Sequence, residues 1–136
     1  MRAVIDTNVL ISAIFWPGKP KQLLNQVRRG KIAFLTSEAL LTELKQVLTR
    51  GDKPFKLSEA EAQRVLAAIR DLAEVVHPHN STVTRCRDET DNRVLECALD
   101  GRADRIITGD MDLLELASFE GIKITTVADF LRTVAS

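Results

Sequence analysis

Short β-branched segments alternate with helical patterns along the whole chain, and this alternation constrains the fold more than any other feature of the sequence. The predicted strands span residues 3–5, 32–35, 75–76, 105–108 and 123–126. Each has a segment of helical periodicity before or after it. Because parallel strands need crossover connections, the pattern predicts a parallel sheet covered by helices on both faces, which is an α/β fold with three layers.

Two of the predicted helices have clear starts. One begins at Ser58, where Ser58 and Glu61 form a capping-box pattern before an apolar stripe. Another follows Ser37 and places a second apolar stripe toward the core. The residues of this second stripe are Leu40, Leu41, Leu44, Val47 and Leu48.

Length and composition predict one domain over residues 1–136. A chain of 136 residues, of which 45% are hydrophobic, buries roughly two-thirds of its unfolded surface and needs no disulfides to fold. Cys86 and Cys97 are therefore expected to be reduced thiols in a cytoplasmic protein. Asp6 and Asn8 interrupt the apolar N-terminal segment, which argues against a signal peptide, and no apolar run approaches the ~20 residues of a membrane span.

Charge is balanced overall but unevenly distributed. The chain has 19 basic and 19 acidic residues, which argues against binding of nucleic acid through net charge alone. No acidic residue occurs between Asp6 and Glu38, whereas nine basic residues occur in and after this segment. They are Lys19, Lys21, Arg28, Arg29, Lys31, Lys45, Arg50, Lys53 and Lys56. They are either ordinary solvated surface or, if the chain acts on nucleic acid, candidate phosphate contacts.

Two acidic residues mark the ends of predicted strands. Asp6 ends the first strand, and Asp110 follows the 105–108 strand after Gly109. In an open parallel sheet, ligands bind beyond the carboxyl ends of the strands. Each residue could instead cap a helix, since Asp is a favoured N-cap. Their matching positions on two strands favour a shared site.

Asp91 lies on the apolar stripe of a predicted helix. With Val94, Leu95 and Ala98 it occupies positions i, i+3, i+4 and i+7, so it points along the buried face. An ionised carboxylate there is costly unless a positive group compensates it. Free backbone amides of the first helical turn could do so. Metal coordination, together with Asp6, is the preferred interpretation.

The remaining acidic candidates are weaker. Glu43 lies at the border of a helix's buried stripe, where a glutamate is usually solvated. Asp88 and Asp112 could each cap a helix or lie in a turn. The basic residues nearest to Asp91 and Asp110 in sequence are Arg93 and Arg105, which are expected in a helix and at a strand start.

A carboxylate cluster without Cys, His or paired cations indicates a hard divalent ion, Mg²⁺ or Mn²⁺. Such ions activate water and stabilise the leaving oxygen in phosphodiester hydrolysis. Another potential metal motif, His77-Pro78-His79, is expected to be a loop.

Four segments resemble, in order, the motifs of PIN-domain proteins, particularly the toxin components of toxin–antitoxin pairs. They are VIDTNVLISA, the helix containing Glu43, RDETDNRVLECAL and ADRIITGDMDLL. The similarity runs from Met1 to the final TTVADFLRTV, nearly the whole chain.

This resemblance implies a five-stranded parallel sheet of order 3-2-1-4-5 and a Mg²⁺- or Mn²⁺-dependent endoribonuclease. It implies that Asp6 and Asp91 are the principal metal ligands and that Glu43 supports the metal or a water. The fourth place would belong to Asp110, or to Asp112, which follows it in the GDMD segment. Asp88 would orient the loop before Asp91.

The resemblance also implies an RNA substrate, a cognate antitoxin protein, a homodimer and no membrane association. Phe15 and Trp16, beside Pro17 and Gly18, could serve an interface or the core. Two alternatives remain: a non-catalytic PIN-like module that binds RNA or protein, and a metal-dependent phosphatase or phosphotransfer domain.

Overall fold

Seven helices and six strands make up the described part of the chain, which in this computed structural model comprises residues 1–51, 55–77 and 82–134. The strands are β1 (Arg2–Ile5), β2 (Ala33–Ser37), β3 (Ala73–Val76), β4 (Arg105–Ile107), β5 (Ser118–Phe119) and β6 (Ile122–Thr125). The helices are α1 (Thr7–Phe15), α2 (Lys19–Arg28), α3 (Glu38–Thr49), α4 (Glu59–Leu72), α5 (Glu89–Asp100), α6 (Met111–Leu116) and α7 (Val127–Val134).

The strands form one sheet of order β3-β2-β1-β4-β6-β5. The pairs β1 with β2, β1 with β4, β2 with β3 and β4 with β6 are parallel. The five predicted strands correspond to β1, β2, β3, β4 and β6. Their predicted order, 3-2-1-4-5, is therefore confirmed.

The sheet differs from the prediction at one edge, where the two-residue strand β5 pairs antiparallel with β6. The expectation of a purely parallel, five-stranded sheet is wrong in this detail. Glu120 and Gly121 join the two strands with φ values of 51° and 82°. Two successive residues with positive φ are typical of the tight turns that close β-hairpins, so a local turn adds the sixth strand.

Two apolar cores lie on opposite faces of the sheet, because side chains alternate between faces along each strand. In β1, Ala3 and Ile5 belong to the core shared with α1, α2, α3, α4 and α7, whereas Val4 belongs to the core shared with α5 and α6. The three-layer prediction is confirmed.

The predicted helix starts are also confirmed. Ser58 and Glu61 form a reciprocal capping box at α4, and the Ser37 hydroxyl accepts a hydrogen bond from the Leu40 backbone at the start of α3. Cys86 and Cys97 are free thiols. Burial raises the pKa of Cys97 to about 12, so this thiol is unreactive.

A network of charged groups covers the amino-terminal edge of the sheet, where Arg2 begins β1. Its guanidinium binds both carboxylate oxygens of Glu74, at 3.1 and 2.9 Å, and the Gly101 carbonyl, at 3.1 and 2.7 Å. The Arg2 backbone N–H donates to Asp104 at 2.9 Å. One residue thereby links β1 to β3 and to the segment between α5 and β4.

No helix among residues 1–51, 55–77 and 82–134 is long and apolar enough to cross a membrane. His77 is exposed, and the rest of the His77-Pro78-His79 motif lies outside the described residues.

Candidate metal centre

Three of the helices that begin at the carboxyl-terminal edge of the sheet have an aspartate at the N-cap. Asp6 caps α1, Asp88 caps α5 and Asp110 caps α6, and each carboxylate accepts a backbone N–H of the first turn. The capping alternative for Asp6 and Asp110 is therefore correct. It does not exclude a shared site, because a cap uses only part of the acceptor capacity of a carboxylate.

Asp6 is held rigidly at the end of β1. Its Oδ1 accepts the Thr7 backbone N–H and its Oδ2 accepts the Thr108 hydroxyl, both at 2.7 Å. The side chain is buried, and burial raises the pKa of Asp6. The hydrogen bonds from Thr108 and Thr7 oppose this increase, whereas the nearby Asp110 and Asp88 carboxylates add to it.

Asp91 lies in the first turn of α5, and only 3% of its surface is exposed. As the sequence predicts, it shares the buried face of α5 with Val94, Leu95 and Ala98. Its Oδ2 is buried and receives no hydrogen bond. Burial, followed by the charges of four other aspartates, raises the pKa of Asp91 to about 7. Those four residues are Asp110, Asp88, Asp6 and Asp112.

Asp91, Asp110 and Asp112 form a compact triad. Each offers a carboxylate oxygen, and these three oxygens lie within 4.8 Å of one another. Asp91 is buried, Asp110 is half-buried and Asp112 is exposed, so the triad extends from the interior to solvent. The structure therefore brings both members of the GDMD segment to the site.

Glu43 approaches the site from α3 and is connected to Asp6 through Thr7. The Thr7 hydroxyl donates to Glu43 Oε2 at 2.9 Å, while the Thr7 backbone N–H donates to Asp6 Oδ1. Partial burial raises the pKa of Glu43, and the Asp6 and Asp88 carboxylates raise it further. Glu43 is thus part of the same electrostatic group rather than an ordinary solvated residue.

Asp88 also belongs to this group, since its carboxylate raises the pKa of Asp6, Glu43 and Asp91. We refer to all six acidic side chains as the acidic cluster. Its members are Asp6, Glu43, Asp88, Asp91, Asp110 and Asp112.

Among the described residues, the basic side chain that forms an ion pair with the acidic cluster is Arg87, whose guanidinium lies 3.4 Å from Asp112 Oδ2. Arg93 and Arg105, the basic residues nearest to Asp91 and Asp110 in sequence, lie in a helix and at a strand start as expected. Arg93 forms ion pairs along α5 with Glu89 and Glu96, at 3.2 and 2.9 Å. Arg105 begins β4, at the opposite edge of the sheet, where it donates to a backbone carbonyl.

The chemistry of the acidic cluster fits a divalent cation that prefers oxygen ligands. A buried carboxylate oxygen without a hydrogen-bond donor, as in Asp91, is costly unless a cation compensates it. Cys86 lies close by, but burial and the Asp91, Asp110 and Asp112 charges raise the pKa of its thiol. A protonated thiol is a poor ligand, so the available donors are carboxylate oxygens, which suit Mg²⁺ or Mn²⁺.

Sequence reasoning missed the neutral residues that organise the acids. Thr7 and Thr108 bind Asp6 directly, and the Thr108 hydroxyl also accepts the Asp110 backbone N–H at 3.0 Å. Thr108 is the last residue of the predicted strand 105–108, and Thr7 follows Asp6 at the end of the first strand. These positions are the signal that could have identified them.

Comparisons with known proteins identify the family of this chain. The family model described as PIN domain matches residues 2–112. An uncharacterized protein from Methanocaldococcus jannaschii is 35% identical over 118 residues, which cover 85% of this chain and 75% of that protein.

The fold also matches a chain in the crystal structure of VapBC2 from Rickettsia felis bound to a DNA fragment from their promoter. The TM-score is 0.65 and the identity 13%, over 93% of this chain and 98% of that chain. At this identity the similarity concerns the fold. From the family match over most of its length, together with the relative, the chain belongs to the PIN-domain family.

Proposed function

We propose that this protein is a divalent-metal-dependent endoribonuclease that hydrolyses phosphodiester bonds in RNA. The proposal rests on one observation: Asp91 Oδ2, in the acidic cluster, is buried and accepts no hydrogen bond. A fold stabilised only by packing gains nothing from such a group, because its burial costs free energy. A site that binds a cation gains a ligand that is already in place.

The ligand assignment follows the geometry of the acidic cluster. Asp91, Asp110 and Asp112 bring three oxygens close enough together to share one cation. Asp6 retains acceptor capacity on each oxygen after its two hydrogen bonds, so it can also contribute. Glu43 accepts a hydrogen bond from the Thr7 hydroxyl, and we assign it to support the metal or to orient the attacking water.

When bound, Mg²⁺ or Mn²⁺ would lower the pKa of a water and stabilise charge on the phosphate oxygens. The protein supplies fixed carboxylates for this chemistry. The Thr7 and Thr108 hydrogen bonds hold Asp6 in one orientation, and the N-cap of α6 holds Asp110. Preorganised ligands of this kind need little rearrangement during the reaction.

The decisive experiment is cleavage of a mixed set of labelled RNAs by the purified protein with Mn²⁺, with Mg²⁺ and with EDTA. Asp91→Asn is expected to reduce cleavage by about 10³-fold or more, because a lost Lewis acid costs several kcal/mol of transition-state stabilisation. Asp71→Asn is the matched control, since Asp71 is exposed on α4.

Metal-dependent cleavage that Asp91→Asn abolishes and Asp71→Asn preserves would support the nuclease and its site together. A folded protein that cuts no RNA with either metal would contradict the proposal. The alternative of a non-catalytic module that binds RNA or protein would then take its place.

We further propose that the protein is the toxin of a toxin–antitoxin pair and acts as a homodimer in the cytoplasm. The fold similarity to a chain of the VapBC2 complex supports a partner protein. An aromatic group at the surface supports an interface: the partly buried Phe15 stacks on Phe55 with ring centroids 4.2 Å apart, and Trp16 packs edge-on against both. Trp16 is 46% exposed.

Co-expression with the product of the adjacent gene tests this assignment. A partner that co-purifies and suppresses RNA cleavage is expected, and sedimentation of the isolated chain is expected to give the mass of a dimer. A nuclease that is harmless on expression and has no inhibitory partner would instead be a housekeeping enzyme.

A further inference from the structure

A short loop before α5, residues 82–88, carries two arginines and leads to the acidic cluster. Arg85 and Arg87 are both exposed, and Asp88 at the end of the loop caps α5. We refer to this segment as the arginine loop. Through Arg87 it provides the cation that contacts Asp112.

The arginine loop is fixed to α5 by hydrogen bonds to its backbone. The side-chain amide of Asn92, which is 1% exposed, accepts the Cys86 N–H at 2.8 Å and donates to the Cys86 carbonyl at 3.0 Å. At the other end of the loop, the Val83 N–H donates to Glu96 Oε2 at 2.8 Å. Asn92 bonds the residue directly before Arg87, so the backbone that carries Arg87 is held in place.

An RNA substrate needs a cation here in addition to the metal. The acidic cluster has six carboxylates, and even two divalent ions would not neutralise six ionised groups. A phosphate approaching the site would therefore meet a net negative charge. Arg87, which contacts Asp112, carries the positive charge that such a phosphate needs.

The ion pair of Arg87 with Asp112 is easily exchanged. The Arg87 side chain is 90% exposed and that of Asp112 is 46% exposed. Exposed ion pairs contribute little to stability, so releasing Arg87 from Asp112 is inexpensive. A guanidinium presents paired donors that match the oxygens of a phosphate.

We infer that Arg87 is the phosphate-binding residue of this site: it exchanges Asp112 for an RNA phosphate next to the scissile bond and leaves the Asp112 carboxylate for the metal. The inference rests on the proposed nuclease function. It separates phosphate recognition, by the arginine loop, from metal binding, by the carboxylates.

The test measures binding of a labelled single-stranded RNA to the full chain by fluorescence anisotropy over a range of salt concentrations. Ca²⁺ replaces Mg²⁺ to limit cleavage, and a gel confirms that the RNA stays intact. The variants are Arg87→Gln, Arg87→Lys and, as the matched control, Arg105→Gln at the opposite edge of the sheet. Circular dichroism checks that each variant is folded.

Arg87→Gln is expected to weaken binding about tenfold, the loss of one charge-assisted contact. The slope of log affinity against log salt should fall by about 0.7, the value for one phosphate contact with a single strand. Arg87→Lys should restore the slope and only part of the affinity, because it keeps the charge without the paired donors. Arg105→Gln should behave as the wild type.

An unchanged affinity and slope in Arg87→Gln would overturn the inference, as would an equal loss in Arg105→Gln, which would indicate binding by general surface charge. If the wild type cuts RNA while Arg87→Gln binds normally, this inference alone fails. If the wild type neither binds nor cuts RNA, both the proposed function and this inference are contradicted.

Discussion

The environments of the charged side chains at the two edges of the sheet shift their pKa values in opposite ways. At the amino-terminal edge Arg2 pairs with Glu74 through two hydrogen bonds, which raise the pKa of the arginine and lower that of the glutamate. At the carboxyl-terminal edge, burial raises the pKa of Asp6, Glu43 and Asp91. Paired groups stabilise the fold in their charged forms. The acidic cluster destabilises its own charged form, which is the arrangement expected of an edge that binds a cation rather than one that only stabilises the fold.

The largest difference between the edges should appear on adding Mn²⁺. At a concentration of about 100 times the dissociation constant, the metal should raise the free energy of unfolding of the wild type by about 2.7 kcal/mol. Asp91→Asn should lose most of this gain because it removes the buried ligand. Glu74→Gln, at the other edge, should keep it. Thermal unfolding with and without Mn²⁺ measures the effect, and equal gains in both variants would place the metal elsewhere.

Without metal, the two substitutions should change stability in opposite directions. Asp91→Asn should stabilise the protein by about 1–2 kcal/mol at pH 8 in EDTA, because it replaces a buried charge by a neutral group of similar shape. Chemical denaturation provides the measurement. A destabilised Asp91→Asn would show that the carboxylate already has a compensating partner in the protein, and would remove the main support for a cation site.

The pH dependence of stability should also separate the edges. The folded pKa of Asp91, about 7, is above the value of 3.8 for an unperturbed group. Between these values the folded state holds a proton that the unfolded state lacks, so stability in EDTA should fall as pH rises from about 4 to 7. The contribution is at most about 1.4 kcal/mol per pH unit. Asp91→Asn should flatten this part of the profile; an unchanged profile would contradict the assignment.

The smallest effect is expected for Glu74→Gln, whose folded pKa is lowered by Arg2. Its contribution is present above the unfolded pKa and is lost as pH falls through the lower folded value. Because both side chains are substantially exposed, the loss at neutral pH should be about 0.2–1 kcal/mol and should shrink at high salt. Denaturation at two salt concentrations checks this. A loss of several kcal/mol would mean that the pair of Arg2 and Glu74 stabilises the fold far more than an exposed ion pair usually does.

The layers could be predicted because they depend on short-range patterns, whereas the strand order was predicted from the resemblance to PIN-domain proteins. Asp91 was also identifiable from a short-range pattern, since its position relative to Val94, Leu95 and Ala98 is set by helical geometry. The β5–β6 hairpin was missed because it depends on the backbone conformation of Glu120 and Gly121 rather than on periodicity.

The support of the acids was not predictable from spacing. The hydrogen bond from Thr108 to Asp6 joins residues that are 102 positions apart, and the contact between Arg87 and Asp112 joins residues 25 positions apart. Such contacts arise only when the folded chain brings distant segments together. A threonine at a strand end looks the same in the sequence whether or not it faces an acid.

The triple use of aspartate as a helix cap has a consequence for relatives of this protein. Asp6, Asp88 and Asp110 start α1, α5 and α6, so each has a reason to persist even if the chemistry is abandoned. Asp91 is not the cap of a helix, and its buried Oδ2 accepts no hydrogen bond. In a descendant that no longer catalyses the reaction, Asp91 would therefore be the first of these residues to be replaced. The three capping aspartates would remain.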